Sequence, residues 1–330
     1  MSKEKVLVTG ATGFLGRHLV KKLCSLDYDV SILARKTSDL SPFESLPIKI
    51  CYGDITNTLD LLQATEEKDI VFHLAGYIAY KKSDRKQMEK INVHGTRNVA
   101  DACITNQVKK LFHLSSVVTI GASFNGTPLN EESPYNLSDY DLGYFETKKK
   151  AEEIIFDTFE EHKLPVYMIN PATIYGAGDG TKGSRKTQIK VAKGEFKFYP
   201  PGGVNVVYVN DVIDSIFLVL KHGQPARRYI IGGDNLTIKE LFEIIAETSG
   251  VPKPNIPIPR AMLTFLGWVG DRLKSLGKET SLSSETAVTS SLYHWFDSSR
   301  AIKELNFKPT PSRVAIKESI SWMKQNNLLD

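Results

Sequence analysis

The stretch that most constrains this chain is Lys5 to Gly16, KVLVTGATGFLG. Val6, Leu7 and Val8 form an apolar run suited to a buried strand. The run breaks at Thr9-Gly10, and a helical pattern begins at Phe14 and Leu15, between Gly13 and Gly16. In the order strand, glycine turn, helix, each glycine does something a side chain would prevent. Gly10 allows the tight turn, Gly13 lets a pyrophosphate approach the backbone, and Gly16 lets the helix pack closely on its sheet. A dinucleotide phosphate then rests on the helix N-terminus. An ordinary strand-to-helix turn can also carry glycines, so the weight of the motif depends on the rest of the chain.

The rest is regular as far as residue 175. Strands are predicted at 5–8, 30–34, 48–52, 70–74, 110–114 and 166–169, and helices at 14–26, 87–105 and 142–162. This alternation implies an α/β doubly wound parallel sheet with helices on both faces. Residues 1–175 form the dinucleotide-binding domain, to which 203–222 return. Residues 176–202 and 223–330 form a smaller, interleaved substrate-binding region. Within it, Thr237 with Glu240 makes a capping box, and the prolines of 251–260 exclude regular helix. Residues 261–276 read as an amphipathic helix carrying Met262, Leu263, Phe265, Leu266, Trp268 and Val269. That apolar content suits either the core of the small region or a pocket for an apolar or semi-polar ketone.

Charge and composition narrow the class. Hydrophobic residues at 41%, charged residues at 24% and a net charge of +4 suit a globular enzyme and give no basic stripe for nucleic acid. MSKEK runs into the first strand without an apolar signal region, which argues against secretion. Residues 261–270 are about half of the roughly 20 a membrane span requires. A helix of the substrate-binding region is preferred there over a peripheral contact. Cys24, Cys51 and Cys103 lack CxxC spacing and suit small core positions in a reducing cytoplasm.

Cofactor choice is read at strand ends. The second strand ends in Arg35-Lys36 with no carboxylate before Asp39, which favours NADP(H) over NAD(H), because Arg accommodates a 2′-phosphate. Asp54, followed by Ile55, stands where an adenine amino group would be bound. Leu74, Ala75 and Gly76 let backbone approach the cofactor. His73 is flanked by apolar strand residues and reads as a packed histidine rather than a metal ligand. Asn92, a poor helix former inside a helix, is placed to fix neighbouring loop backbone.

Two later segments add chemistry. Ser115-Ser116 follows the fifth strand, at the sheet edge where ligands of such folds bind. Tyr144 and Lys148 lie four apart early in a helix and so share a face. An unperturbed tyrosine titrates near ~10. A nearby ammonium lowers that value and makes Tyr144 a usable acid or base, with Ser116 hydrogen-bonding the reacting oxygen.

With these residues in view, the chain resembles the extended short-chain dehydrogenase/reductases, which include NAD-dependent epimerase/dehydratases, dihydroflavonol 4-reductases and 3β-hydroxysteroid dehydrogenases. The resemblance spans nearly the whole chain: TGATGFLG, Ser116, Tyr144 with Lys148, Asn170-Pro171, Tyr175-Gly176 and Tyr208-Val209-Asn210-Asp211. It implies that Tyr144 exchanges the proton, Lys148 also binds the nicotinamide ribose and Ser116 positions the carbonyl. Pro171, Thr173 and Ile174 line the nicotinamide, and Thr12, Phe14 and Leu15 join the glycines around the phosphates. It also implies a homodimer through helices 87–105 and 142–162.

Departures from the family pattern select a branch. Val117-Val118 replace the Asp-Glu pair that performs elimination in sugar-nucleotide dehydratases. No arginine precedes Tyr208 to clamp sugar-nucleotide phosphates. Asn170-Pro171 resembles the dihydroflavonol-reductase-like branch. The expected activity is an NADP(H)-dependent interconversion of a ketone and a secondary alcohol on a small organic molecule. A sugar epimerase that retains NAD is the alternative, and a dinucleotide-sensing binding protein comes third. The basic run from Lys182 through Arg185, Lys186, Lys190 and Lys193 to Lys197 reads as a solvated surface before it reads as a lid for an anionic substrate.

Overall fold

The computed structural model describes residues 3–181, 185–276, 280 and 283–330. Its strands, in chain order, are β1 (Lys5–Thr9), β2 (Asp29–Ala34), β3 (Ile48–Tyr52), β4 (Ile70–His73), β5 (Lys110–Leu114), β6 (Val166–Pro171), β7 (Thr173–Tyr175), β8 (Phe198–Tyr199), β9 (Gly203–Tyr208), β10 (Ile230–Ile231), β11 (Asp234–Thr237), β12 (Ile256–Pro257) and β13 (Tyr293–His294). The helices are α1 (Phe14–Ser25), α2 (Thr58–Thr65), α3 (Arg85–Met88), α4 (Gly95–Thr105), α5 (Gly143–His162), α6 (Lys186–Ala192), α7 (Val209–His222), α8 (Ile238–Ser249), α9 (Arg260–Ser275), α10 (Ser284–Ser291), α11 (Ser299–Leu305) and α12 (Ser312–Gln325).

Seven strands form a parallel sheet in the order β10-β6-β5-β4-β1-β2-β3. The chain leaves β1 toward one edge and comes back to β4 on its other side. That reversal opens a crevice at the carboxyl ends of these two strands. Val6, Leu7 and Val8 are fully buried because helices cover both faces. On one face α1 and α7 supply Leu15, Leu19, Leu23, Val212, Ile216 and Val219. On the other, α2, α4 and α5 supply Leu61, Ala64, Val99, Ala102 and Ile155. The doubly wound α/β fold expected from the alternation is the fold observed.

Local differences have local causes. The helix predicted over 87–105 begins at Arg85 and is interrupted by a π-turn over Glu89–His94, a widening that holds Asn92. α2 was too short for a periodicity reading; its N-cap Asn57 accepts from the backbone of Leu59 and Asp60. Where 203–222 were expected to return to the first domain, residues 209–222 form α7 against the large sheet and Gly203–Tyr208 lie apart from it. They form β9 of a second sheet, antiparallel to β11 and parallel to β7 and β13. The edge beside β6 is already taken by β10, whose Ile230 and Ile231 pair with Asn170 and Pro171.

Behind β9, α6, α8 and α12 pack their own core around Val206, Ile245, Ile316 and Ile320. The Thr237–Glu240 capping box is present at the start of α8. The helix predicted over 261–276 is α9, but Met262, Phe265 and Trp268 face solvent rather than a core or a pocket, and only Leu263 of the apolar face is fully covered. Among the described residues no helix is long and apolar enough to cross a membrane.

Candidate active site

The crevice between β1 and β4 is built by backbone. At Gly10 the chain turns with φ +70°, and a Cβ there would lie 2.5 Å from the Ala75 amide nitrogen. At Gly16 a Cβ would lie 2.2 Å from the Gly10 carbonyl oxygen and 2.6 Å from Ala11 Cα. Gly16 therefore lets α1 close onto its own loop, whereas the spacing suggested closure onto the sheet. Gly13 is the N-cap of α1; no side chain caps that helix, and no acidic residue stands in its first turn. Such an end suits an anion. A cavity of about 360 Å³ adjoins it, lined by Thr12, Gly13, Phe14, Arg17, His18 and Lys21 from this side. Leu15, expected among the phosphate contacts, is buried in the core.

The β4 end completes the wall. Leu74 N donates to the Thr9 carbonyl at 3.1 Å, and Ala75 N approaches Thr9 Oγ1 at 3.4 Å. A Cβ on Gly76 would meet Asn92 Oδ1 at 3.6 Å, so its environment is looser than that of Gly10. These residues fit a dinucleotide: a crowded glycine turn, an uncapped helix start and a close-set neighbouring strand end. His73 is buried between Thr9 Oγ1 at 2.8 Å and Thr96 Oγ1 at 3.0 Å, and burial lowers its pKa to about 3. It is a packed, neutral histidine.

Other expected cofactor contacts divide. Arg35 is exposed just after β2, and no salt bridge engages it among the described residues. Asp39, the first carboxylate beyond it, is held by Arg17 at 3.3 Å and by the Ser41 backbone and hydroxyl. Asp54 Oδ1 accepts from Thr56 N and Oγ1, both at 2.9 Å, and so shapes the loop after β3. Ile55 is buried under that loop. The Asn92 amide is spent inside the protein: Oδ1 accepts from Tyr77 N at 2.7 Å, and Nδ2 donates to Tyr77 O and Thr147 Oγ1, both at 3.0 Å. Asn92 clamps the loop after β4, and neither end of its amide is left for a ligand.

The reactive groups meet at the ends of β5 and β6. Ser115 turns inward to Glu152, whereas Ser116 caps the short turn Val117–Thr119 and stands near enough to Tyr144 to favour its ionised form. Lys148 stands one turn along α5 from Tyr144, is 7% exposed, and donates to the Leu114 carbonyl at 2.6 Å. Burial lowers the Lys148 pKa to about 8, and Glu152 opposes the shift. Burial pushes the Tyr144 phenol up, Tyr80 pushes it further, and Ser116 acts against both. Lys148 is not among the groups that shift the phenol; its ammonium donates to the Leu114 carbonyl. Tyr144 therefore keeps its proton at neutral pH and is set to donate it. Pro171 ends β6, and Thr173 and Ile174 open β7 beside it. The adjoining Asn170 donates to Ser116 O at 3.3 Å.

Sequence reading missed Glu152. It is fully buried, accepts from Asn170 Nδ2 at 2.7 Å, Thr119 Oγ1 at 3.0 Å and Ser115 Oγ, and pairs with Arg228 Nε at 2.5 Å. It thus ties the ends of β5 and β6 to the helix that carries Tyr144 and Lys148. The signal was there: Tyr144, Lys148 and Glu152 recur at intervals of four on one helix face.

The surroundings of Tyr144 are apolar, with Val118, Leu137, Leu142, Phe145, Val288 and Leu292 in one cluster. Within the basic run, Arg185 is buried, bonded to Asp179 at 3.1 Å and stacked 3.8 Å from the Tyr175 ring centre. Lys186 and Lys190 lie on the exposed side of α6, and Lys182 lies outside the described residues.

Comparison with known proteins agrees with this geometry. The NAD dependent epimerase/dehydratase family matches residues 6–232. Sterol demethylase protein B of Methylococcus capsulatus is 27% identical, with 98% of this chain and 99% of that protein covered. A Synechocystis protein carrying a dihydroflavonol 4-reductase designation is 26% identical, with 97% and 94% covered. The crystal structure of gox2253 superposes with a TM-score of 0.89 at 30% identity, over 99% of this chain and 100% of that one.

Proposed function

The chain belongs to the NAD dependent epimerase/dehydratase family, enzymes of the extended short-chain dehydrogenase/reductase type, and on that premise we propose an NADP(H)-dependent oxidoreductase. It interconverts a ketone and a secondary alcohol on a small, largely apolar molecule of dihydroflavonol-reductase-like type. The observation that carries this reading is Tyr144 set in an apolar cluster near Ser116, with buried Lys148 one turn away on the same helix. The names of two relatives, a sterol demethylase protein and a dihydroflavonol 4-reductase, point to polycyclic, poorly charged substrates.

The glycine turn with Thr12, the α1 start and the Leu74–Gly76 backbone would hold the dinucleotide, and Arg35 its 2′-phosphate. When bound, the nicotinamide supplies or takes up the hydride. The protein does the rest. Ser116 holds the carbonyl oxygen, and Tyr144 gives it a proton in reduction or removes one in oxidation. Lys148 would hold the nicotinamide ribose, and the apolar wall around Tyr144 excludes water. Val117 and Val118 carry no proton and leave no route for elimination.

The test is turnover of a panel of cyclic ketones by the wild type and by Tyr144→Phe. The variant is expected to lose about 10²–10⁴-fold in kcat and keep its NADPH binding. Turnover within a few fold of wild type would sink the assignment. Oxidised NAD staying with the wild-type protein through purification would point to a sugar epimerase instead.

A further inference from the structure

The outward face of α9 has no role in the chemistry above. Met262, Phe265 and Trp268 fall on one side of that helix and are 52%, 61% and 54% exposed, with Phe265 and Trp268 stacked at 6.2 Å. The parallel ribbon of β8 and β12 leads into the helix and adds Phe198 and Ile256, which are register partners and so share a side of the ribbon. Ile258 N donates to Tyr199 O, and Leu263 N to Pro259 O, so the ribbon and the helix start are one continuous piece. The charges around this patch are mostly positive. Lys197, Arg260 and Arg272 are exposed beside it, Arg272 lying over the Trp268 ring at 5.5 Å. Glu195 is the nearby exposed carboxylate, while Asp271 turns toward α10 and accepts from Ser284 N at 3.2 Å.

We infer that this face, α9 with the β8–β12 ribbon, docks on an anionic lipid surface. Exposed aromatic rings flanked by arginines and lysines on one side of an amphipathic helix are what the headgroup boundary of a bilayer selects. A second copy of the chain fits less well. In a two-fold contact the exposed Lys197, Arg260 and Arg272 of one copy would be set against those of the other, a like-charge juxtaposition that an anionic surface avoids.

The position suits delivery of an apolar molecule. α9 packs on α10 so closely that a Cβ on Gly267 would meet Ala287 Cβ at 2.9 Å and Ser283 O at 3.0 Å. Val288 of α10 packs into the apolar cluster that holds Tyr144. One helix therefore separates the docking face from the catalytic tyrosine.

The experiment is flotation of the full chain with vesicles of phosphatidylcholine and phosphatidylglycerol in equal parts, against pure phosphatidylcholine. Two double variants are run beside it, Phe265→Ser with Trp268→Ser and Arg260→Glu with Arg272→Glu. NADPH binding and the thermal midpoint serve as the fold check. The expected result is at least tenfold more wild-type protein on the anionic vesicles, and about tenfold less of each variant, with both fold checks unchanged. Failure of the wild type to float, or equal flotation of the variants, overturns the inference. So does a wild-type dimer that the Phe265→Ser, Trp268→Ser variant dissociates, since the face would then belong to a second copy. Flotation does not depend on turnover, so this inference and the catalytic assignment stand or fall separately.

Discussion

At the scale of single residues, the site is an arrangement of buried charge. Lys148 is held at a pKa of about 8 against an ordinary value of 10.5, so between those pH values the unfolded chain binds more protons than the folded one. The burial penalty is therefore complete below about pH 8 and fades as pH rises toward ~10.5. Glu152 is the carboxylate that limits the penalty. Glu152→Gln should move the alkaline limb of the kcat/KM profile to lower pH, because Lys148 loses its proton earlier. It should also lower the urea midpoint, since half-buried Arg228 loses its charged partner and the strand ends lose a charge-assisted acceptor. An alkaline limb that stays in place would show that Glu152 only props the strands. That Tyr144 and Lys148 share one face of α5 was legible because their spacing is local in sequence. The burial that dominates their proton affinities comes from residues remote in sequence, so the expected direction for Tyr144 was not the one found. Asn92 was legible as a loop clamp, but which loop it holds depends on Tyr77 and Thr147, fifteen and fifty-five residues away.

Elements carry a different lesson. Strands buried on both faces announce themselves as apolar runs, and helices of three or more turns announce themselves by period. This is why β1, β2, β5, α1 and α5 were found close to their true ends. α2, α6 and α10 are seven or eight residues long, and short runs leave too few turns for a period to register. The destination of β9 was illegible for another reason: a strand pairs with whatever edge is vacant, and β10, later in the chain, had claimed the edge beside β6. The glycine turn is the element whose tolerance is smallest. Gly16→Ala puts a methyl 2.2 Å from the Gly10 carbonyl oxygen and must shift α1 or the loop. NADPH affinity, measured by fluorescence titration, should fall by at least tenfold, with a lower thermal midpoint. An alanine variant that binds NADPH as wild type would show that the loop has room the structure does not suggest.

The whole molecule links the two regions through the cofactor crevice. A ligand that binds only the folded chain stabilises it by mass action, by about 2.7 kcal/mol at a hundred times its Kd. At equal concentrations NADPH should therefore raise the thermal midpoint more than NADH, and Arg35→Ser should erase the difference. Equal shifts in the wild type would make Arg35 a surface charge and remove the 2′-phosphate argument. The chain's path between sheets has a further bearing on how such a protein can be altered. It leaves the large sheet after Pro171, crosses back with α7, returns to edge the sheet at Ile230 and leaves again at Asp234. The second sheet therefore cannot be exchanged with a relative's by one splice. A recombined gene would have to exchange 172–208 and 232–330 together while keeping 209–231. A library cut at a single crossover would mostly yield chains whose two sheets are each of mixed parentage.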